Sequence, residues 1–238
     1  DGQLITTNAY PFDVFRSKDL RIPKASVAIL GKAEDLKTHL KSQGITVSTF
    51  SAATTVSTPV LISGTSLDAD QQQAFSTLFG FVKKGGTAVY LAGADQVTEE
   101  GSPLFPFKAK AHPSVGLWTC IPHLVHQHPL FDGLPSNVPM RDIYENIWAR
   151  KTLRNLWIED GEVTETVVGS MGFDWFSKEH KMHYSGPGEE WWGSDVAMMS
   201  MGKGTVIVSQ LQLVPNLGKD PVADKILSNL IGFLKSQK

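Results

Sequence analysis

Between residues 120 and 128 the chain reads Cys-Ile-Pro-His-Leu-Val-His-Gln-His, which offers four side chains able to give a lone pair to a metal ion. Cys120, His123, His126 and His128 are all of a type that binds zinc, and on an extended strand His126 and His128 face the same side. The stretch also has a plainer reading. In that reading Cys120 packs as a small apolar residue and the histidines are partly solvated in a connector leading into His128-Pro129. Structural zinc sites usually draw on two separated ligand pairs, and Pro122 and Pro129 stiffen the backbone here. Cys120 as a nucleophile would need a sharp glycine-flanked turn, and Thr119 and Ile121 do not provide one.

A second constellation is aromatic and acidic. All six tryptophans (Trp118, Trp148, Trp157, Trp175, Trp191 and Trp192) fall in one stretch, and the front half has none. Asp174-Trp175-Phe176 and Glu189-Glu190-Trp191-Trp192 join flat rings to carboxylates, the combination that stacks on a pyranose face and accepts its hydroxyl hydrogens. Asp174, Trp175, Glu190, Trp191 and Trp192 are therefore the candidate carbohydrate contacts. The same rings could instead cover a core or anchor a protein interface. Glu189, Glu190 and Asp195 also raise a glycosidase acid pair, but that chemistry holds two carboxyl groups about 5–9 Å apart across a cleft. Adjacent residues rarely meet that requirement. Gly31-Lys32 after an apolar run lacks the further glycines of a phosphate loop.

The elements that must position these residues are clearest in the first third. Ser26–Leu30 is a short apolar run of the kind buried on both sheet faces. Residues 33–43, with Leu36 and Leu40 four apart, predict a helix closed by Gly44. Residues 45–50 and 59–62 predict two more strands. Thr65 and Asp68 have capping-box spacing, and Phe75, Leu78, Phe79 and Val82 form one buried helical stripe. Gly85-Gly86 ends that helix, and Thr87–Leu91 is the next strand. Strands alternating with helices predict a parallel sheet with crossovers.

After Gly93 the rhythm breaks. Residues 94–160 are rich in proline, 163–168 predict a strand, and 170–194 read as a long loop of Gly, Trp and charge. Residues 195–199 and 205–213 flank Gly202-Lys203-Gly204 as a hairpin. Asp220-Pro221 starts a last helix with Asp as N-cap and Pro at its first position. Its buried face is Val222, Ile226, Leu227, Leu230, Ile231 and Leu234. No internal repeat is present.

Composition limits the function classes. The 238 residues are 41% hydrophobic and 19% charged, a globular balance, with a net charge of −2. No basic stripe for nucleic acid or anionic lipid stands out, and no apolar run approaches the roughly 20 residues that cross a bilayer. One cysteine excludes an intrachain disulfide and leaves the compartment open. The chain opens at Asp1 with no methionine or signal-type segment, as expected of a processed product or a piece of something longer.

Four segments together resemble the class I glutamine amidotransferase-like superfold. They are Ser26-Val-Ala-Ile-Leu-Gly31, the unit from Leu67 through Gln71, Ala74 and Phe75 to Phe81-Val-Lys-Lys-Gly-Gly-Thr-Ala-Val-Tyr-Leu-Ala-Gly93, His128-Pro-Leu-Phe-Asp-Gly-Leu134, and Gly202–Leu213 with Asp220–Leu234. The His-Pro-Leu-Phe phrase is similar to ThuA-like members. The closing stretch is similar to C-terminal domains appended to family 2 glycoside hydrolases of the β-galactosidase type. The resemblance covers about residues 25–236. It implies a cysteine nucleophile on the turn after strand 87–91 and a histidine base after a late strand. This chain departs at both places, with Ala94 on the turn and no histidine in Gln210–Asn216. Groups that act as a unit fail as a unit, so these departures argue against glutaminase chemistry.

The expectation is an α/β domain over residues 25–238. It would be three-layered and doubly wound, with a mostly parallel, flavodoxin-like sheet and an irregular Trp-rich elaboration at about 100–200, and residues 1–24 would lead into it. The resemblance implies a non-catalytic accessory domain of a larger, secreted or periplasmic glycoside hydrolase. Such a domain would contact the other domains and a glycan, without a cofactor. A stand-alone ThuA-like sugar-metabolism enzyme using the histidine cluster and a metal, and a carbohydrate-binding module, are the alternatives.

Overall fold

The computed structural model describes residues 13–64, 69–114, 122–173 and 190–237. Thr65, Asp68, Trp118, Cys120, Asp174, Trp175 and Glu189 lie outside them, and so does the start of the leading segment. The first half forms β1 (Ser26–Leu30), α1 (Glu34–Ser42), β2 (Thr46–Thr49), β3 (Val60–Ser63), α2 (Ala69–Lys83) and β4 (Thr87–Ala92). β3 is buried at every residue, β1 and β4 nearly so, as parallel strands covered on both faces must be.

Both predicted helix stops carry the hydrogen bonds that make them stops. After α1 the Gly44 N–H donates to the Lys41 carbonyl and the Ile45 N–H to that of Leu40. After α2 the Gly85 N–H reaches the Val82 carbonyl and the Gly86 N–H that of Phe81. Each is a Schellman pair, which satisfies the last turn's carbonyls with local donors. The second glycine of the α2 stop has its own reason. A Cβ on Gly86 would sit 2.2 Å from the Phe81 ring, which packs across it.

The second half adds β5 (Phe107–Pro113), β6 (His123–Val125), β7 (Val138–Pro139), β8 (Lys151–Ile158), β9 (Gly161–Phe173), β10 (Glu190–Met201), β11 (Gly204–Ser209) and α3 (Pro221–Ser236). These strands join one sheet, ordered β2-β1-β3-β4-β11-β10-β9-β6-β7, with β8 on β10 and β5 on β8. The sheet forks where β8 joins β10 at Gly193 and Ser194, just where β11 has ended at Ser209 opposite Val196.

The expected mostly parallel sheet is corrected to a mixed one. Among the described residues four pairings are parallel, all within β2-β1-β3-β4-β11, and six are antiparallel. β11 is the seam, pairing in parallel with β4 and antiparallel with β10 across the predicted Gly202-Lys203 turn. Residues 100–200 are thus a strand-rich half. Parts of the segment read as a loop extend β9 to Phe173 and open β10 at Glu190. The strand signal there was diluted by glycine, tryptophan and charge on faces that alternate with the core.

Helices cover both faces of the parallel half. α1 and α3 pack with Val27, Ile29, Leu61, Val89 and Ile207 on one face. α2 packs with Ala28, Leu30, Val60, Ile62, Tyr90 and Val208 on the other, where β5 and β8 add Phe107, Ala109 and Leu153. The predicted α3 stripe is wholly buried. Each such aliphatic side chain contributes about 1.5–3 kcal/mol relative to exposure. The helix begins as expected, with Pro221 in its first turn and the Asp220 carboxylate accepting from the Val222 N–H at 2.8 Å. The core begins earlier than the sequence pattern suggests: Ile22 is buried against this layer, and the Ser228 hydroxyl donates to the Arg21 carbonyl. Among the described residues no helix is long and apolar enough to cross a membrane.

Candidate functional site

In an open α/β sheet the ligand crevice lies beyond the carboxyl ends of the parallel strands. Here that place is the end of β4 and β11. β4 stops at Ala92, Gly93 turns the chain with φ of 87°, and a 3-10 turn over Ala94–Gln96 follows. The turn is sharp enough to present a side chain, but Ala94 is 0% exposed, its methyl packed into the α2-side core. Beside it is a crevice of about 310 Å³ lined by Gly93, Asp95, Arg150, Lys151, Gln210 and Gln212, among others. Lys151 pairs with Asp95 at 3.1 Å. The Gln210 amide nitrogen is buried with no hydrogen-bond partner among the described residues. Ser209 supplies a hydroxyl, whose oxygen accepts from the Leu211 N–H of its own loop. Among the described residues no histidine lines the crevice.

Behind the crevice lies a buried polar network that sequence reasoning missed. Asp195 is 0% exposed, and one of its carboxylate oxygens is 2.6 Å from His123 Nδ1. Its other oxygen accepts from the Ser170 hydroxyl at 3.2 Å, and Ser170 in turn lies 2.5 Å from the Thr152 hydroxyl. A carboxylate accepts and does not donate, so the His123 proton sits on Nδ1. Local backbone explains the convergence. His123 and Ser170 are cross-strand partners on β6 and β9. Asp195 is the extra residue of a β10 bulge, where the register skips from Ser194 to Val196. Bulges re-aim a side chain, and this one directs a carboxylate at the histidine. Gly193 completes the arrangement, since a Cβ there would lie 2.2 Å from Thr152 Oγ1. The Asp195 carbonyl also accepts from the Gln210 N–H, which ties the network to the crevice.

No protein family matches the chain, and no curated protein does. Solved structures are similar in chain course. A ThuA-like protein from Bacteroides uniformis ATCC 8492 is 13% identical with a TM-score of 0.46, over 95% of both chains. A GMP synthase protein from Thermoplasma acidophilum is 11% identical with a TM-score of 0.47, over 90% of this chain and 96% of that one. The cold-adapted β-galactosidase of Rahnella sp. R3 is 14% identical with a TM-score of 0.46, over 90% of this chain and 32% of that one. The chain thus spans about a third of the glycoside hydrolase chains it matches. None of these proteins lends its activity to this one.

The predicted metal ligands separate in space. β6 ends at Val125, so His126 and His128 do not share a strand face. His123 is held by Asp195, and His126 is exposed. His128 caps a 3-10 turn, its Nδ1 accepting from the Leu130 N–H at 3.1 Å while its ring packs edge-on against Phe233. Burial pushes the His128 pKa down, and Glu165, 3.7 Å away, pulls it partly back. A lowered value suits a nitrogen that must stay unprotonated to accept. Among the described residues no three His, Cys, Asp or Glu converge as a metal site.

The predicted sugar contacts also divide. Trp191 is 5% exposed, stacked on His112 at 4.7 Å and approached by the Arg154 guanidinium at 5.1 Å. Its ring lies over Gly172, where a Cβ would come within 2.4 Å of it. Trp191 is therefore corrected from a platform to a packed ring, while Trp192 is 68% exposed. The reason is strand geometry: neighbours on β10 point to opposite faces, so only one of two adjacent tryptophans meets solvent. Asp174 and Trp175 lie outside the described residues, and Glu190 enters only as the first residue of β10.

Chemically the site can hold polar groups in place. Ser170 and His123 bond the same carboxylate, so hydroxyl and imidazole share an acceptor instead of forming a nucleophile-to-base relay. The one signal that could have revealed the network is an acid, Asp195, set inside an otherwise apolar strand.

Proposed function

We propose that this chain is a non-catalytic accessory domain of a larger glycoside hydrolase, serving domain packing, assembly or glycan contact outside the cytoplasm. The observation that carries the non-catalytic part is Ala94. It stands fully buried on the turn after β4, where the resembled enzymes need an exposed nucleophile. Gln210 and Gln212 line the crevice where the base would stand, and carboxamides do not exchange protons at neutral pH. The buried pair of His123 and Asp195 is committed to a network that stitches β6, β9 and β10 together with β8. The glycoside hydrolase part rests on the sequence resemblance of residues 25–236.

The expected outcome is specific. An antibody raised against this chain detects, in the source cells, a protein well above the 26.0 kDa of these residues. Glycosidase activity fractionates with it. A native species of 26.0 kDa, free of glycosidase activity, would overturn the reading.

A further inference from the structure

Sequence logic sought an aromatic sugar platform near residues 174–192; the fold assembles one elsewhere. Trp157, on β8, is 51% exposed and borders a cleft of about 400 Å³ on the α2 side of the molecule. Its floor is apolar. Phe105 and Phe107 are 4% and 1% exposed and pack against buried Tyr90 at 5.5 and 5.3 Å between ring centroids. The Tyr90 hydroxyl donates to the Leu104 carbonyl at 2.8 Å, which holds that wall in place.

The outward aim of Trp157 is built by the backbone. β8 carries an extra residue between Arg154 and Trp157 relative to Lys110 and Lys108 of β5, and Asn155 there has φ of 53°. That bulge turns the strand so that Trp157 faces the cleft while Ile158 enters the core. Across the strands Lys108 pairs with Trp157, its ammonium 5.5 Å from the ring centroid, and its stem crosses Gly101 so closely that a Cβ would come within 2.9 Å. Lys83 is fixed on the opposite wall by Asp160 at 2.8 Å. Glu100 and Glu159 complete the rim.

We infer that this cleft is a binding site for a neutral hexopyranose unit of a glycan. Three features choose that chemistry. The ring is open to solvent beside an apolar floor, as the C–H face of a pyranose requires. The rim supplies both donors and acceptors, two lysines and two glutamates, and a hydroxyl is both donor and acceptor. Those four charges sum to zero, so the cleft has no net attraction for an acidic sugar or a phosphate. The volume suits one or two sugar rings. The inference gives the glycan-contact part of the proposed function a location, but it needs neither an inactive crevice at the β4 end nor a larger parent.

The test is an NMR titration of the folded chain with methyl β-galactoside, methyl β-mannoside, their β-linked disaccharides, glucuronate and inorganic phosphate. The Trp157 indole signal is assigned by its loss in Trp157→Phe. The expected result is saturable movement of that signal with at least one neutral sugar, at a dissociation constant on the order of 1 mM. Affinity should fall about tenfold or more in Trp157→Ala, which is about 1.4 kcal/mol, and by a smaller factor in Glu159→Gln. Trp192→Ala should bind as wild type does. Because Trp157 is exposed, both Trp157 variants should keep the wild-type melting transition; if Trp157→Ala does not, Trp157→Phe and Glu159→Gln carry the comparison. The inference is overturned by an unmoved Trp157 signal with every neutral sugar. It is equally overturned by tighter binding of glucuronate or phosphate, or by sugar binding that both Trp157 variants retain. None of these outcomes bears on whether the chain lacks turnover.

Discussion

Asp195→Ala should destabilise the protein by about 3–5 kcal/mol, the cost of leaving one member of a buried, hydrogen-bonded pair without its partner. The substitution strands His123, which is 4% exposed, and removes the acceptor of Ser170. For a chain of this size each kcal/mol lowers the melting temperature by about 2–4 °C, so a fall of roughly 10 °C is expected by calorimetry. Asp195→Asn keeps the volume and one acceptor oxygen and should cost less. The double variant Asp195→Ala with His123→Ala should cost less than the sum of the singles, because the orphaned imidazole is removed as well. A loss below about 1 kcal/mol for Asp195→Ala would show that the network does not hold the sheet together as described.

The same mutation at two glycines should have opposite signs. A Cβ on Gly204 would lie 2.1 Å from the Val82 carbonyl oxygen and 2.3 Å from that of Gly86. Both are backbone atoms at the C-terminal stop of α2, and the Gly86 carbonyl already accepts from the Thr205 N–H at 3.1 Å. No rotamer change relieves such a contact, so Gly204→Ala must push β11 from α2 at the seam of the sheet. A loss of about 3 kcal/mol or more is expected, at or above the top of the range for overpacking. Gly80, within α2, has nothing within 4 Å of its added Cβ. There alanine should stabilise by about 0.5–1 kcal/mol through helix propensity alone. Chemical denaturation of both variants checks the pair, and a neutral Gly204→Ala would contradict the close packing of the seam.

These two cases also show where sequence logic reaches. The Gly85-Gly86 stop, the Gly202-Lys203 turn and the α3 stripe were legible because each is local: a helix face repeats within one window, and a hairpin needs only a short turn. β1, β3 and β4 were legible as apolar runs, since a strand covered on both faces has no polar half to confuse it. β9 and β10 were not. Their faces alternate between core and solvent, and a stretch such as Glu190-Trp191-Trp192-Gly193-Ser194 resembles a loop until the pairing partner is known. The parallel fraction was overread for the same reason, because only the βαβ part announced itself.

The site divides along the same line. Ala94 on its turn could be read directly, because strand, glycine and turn are contiguous. The His123–Asp195 pair could not, as 72 residues separate its members and the bulge that aims Asp195 is a property of pairing. The histidine cluster misled in the opposite direction: three histidines close in sequence diverge because β6 ends at Val125 and His128 turns to cap Leu130. Trp157, inconspicuous in sequence, became prominent only when the extra residue in β8 turned it outward.

Turnover by the purified 238-residue chain is the measurement that addresses the central claim most directly. Ammonia release from glutamine and hydrolysis of aryl β-galactosides and β-mannosides would be followed beside a buffer blank. The account predicts rates indistinguishable from the blank for every substrate, and no gain on Ala94→Cys, whose sulfur would replace a fully buried methyl with no base beside it. Hydrolysis by the wild-type chain that a folded Gln210→Ala or Asp95→Asn variant loses would contradict it.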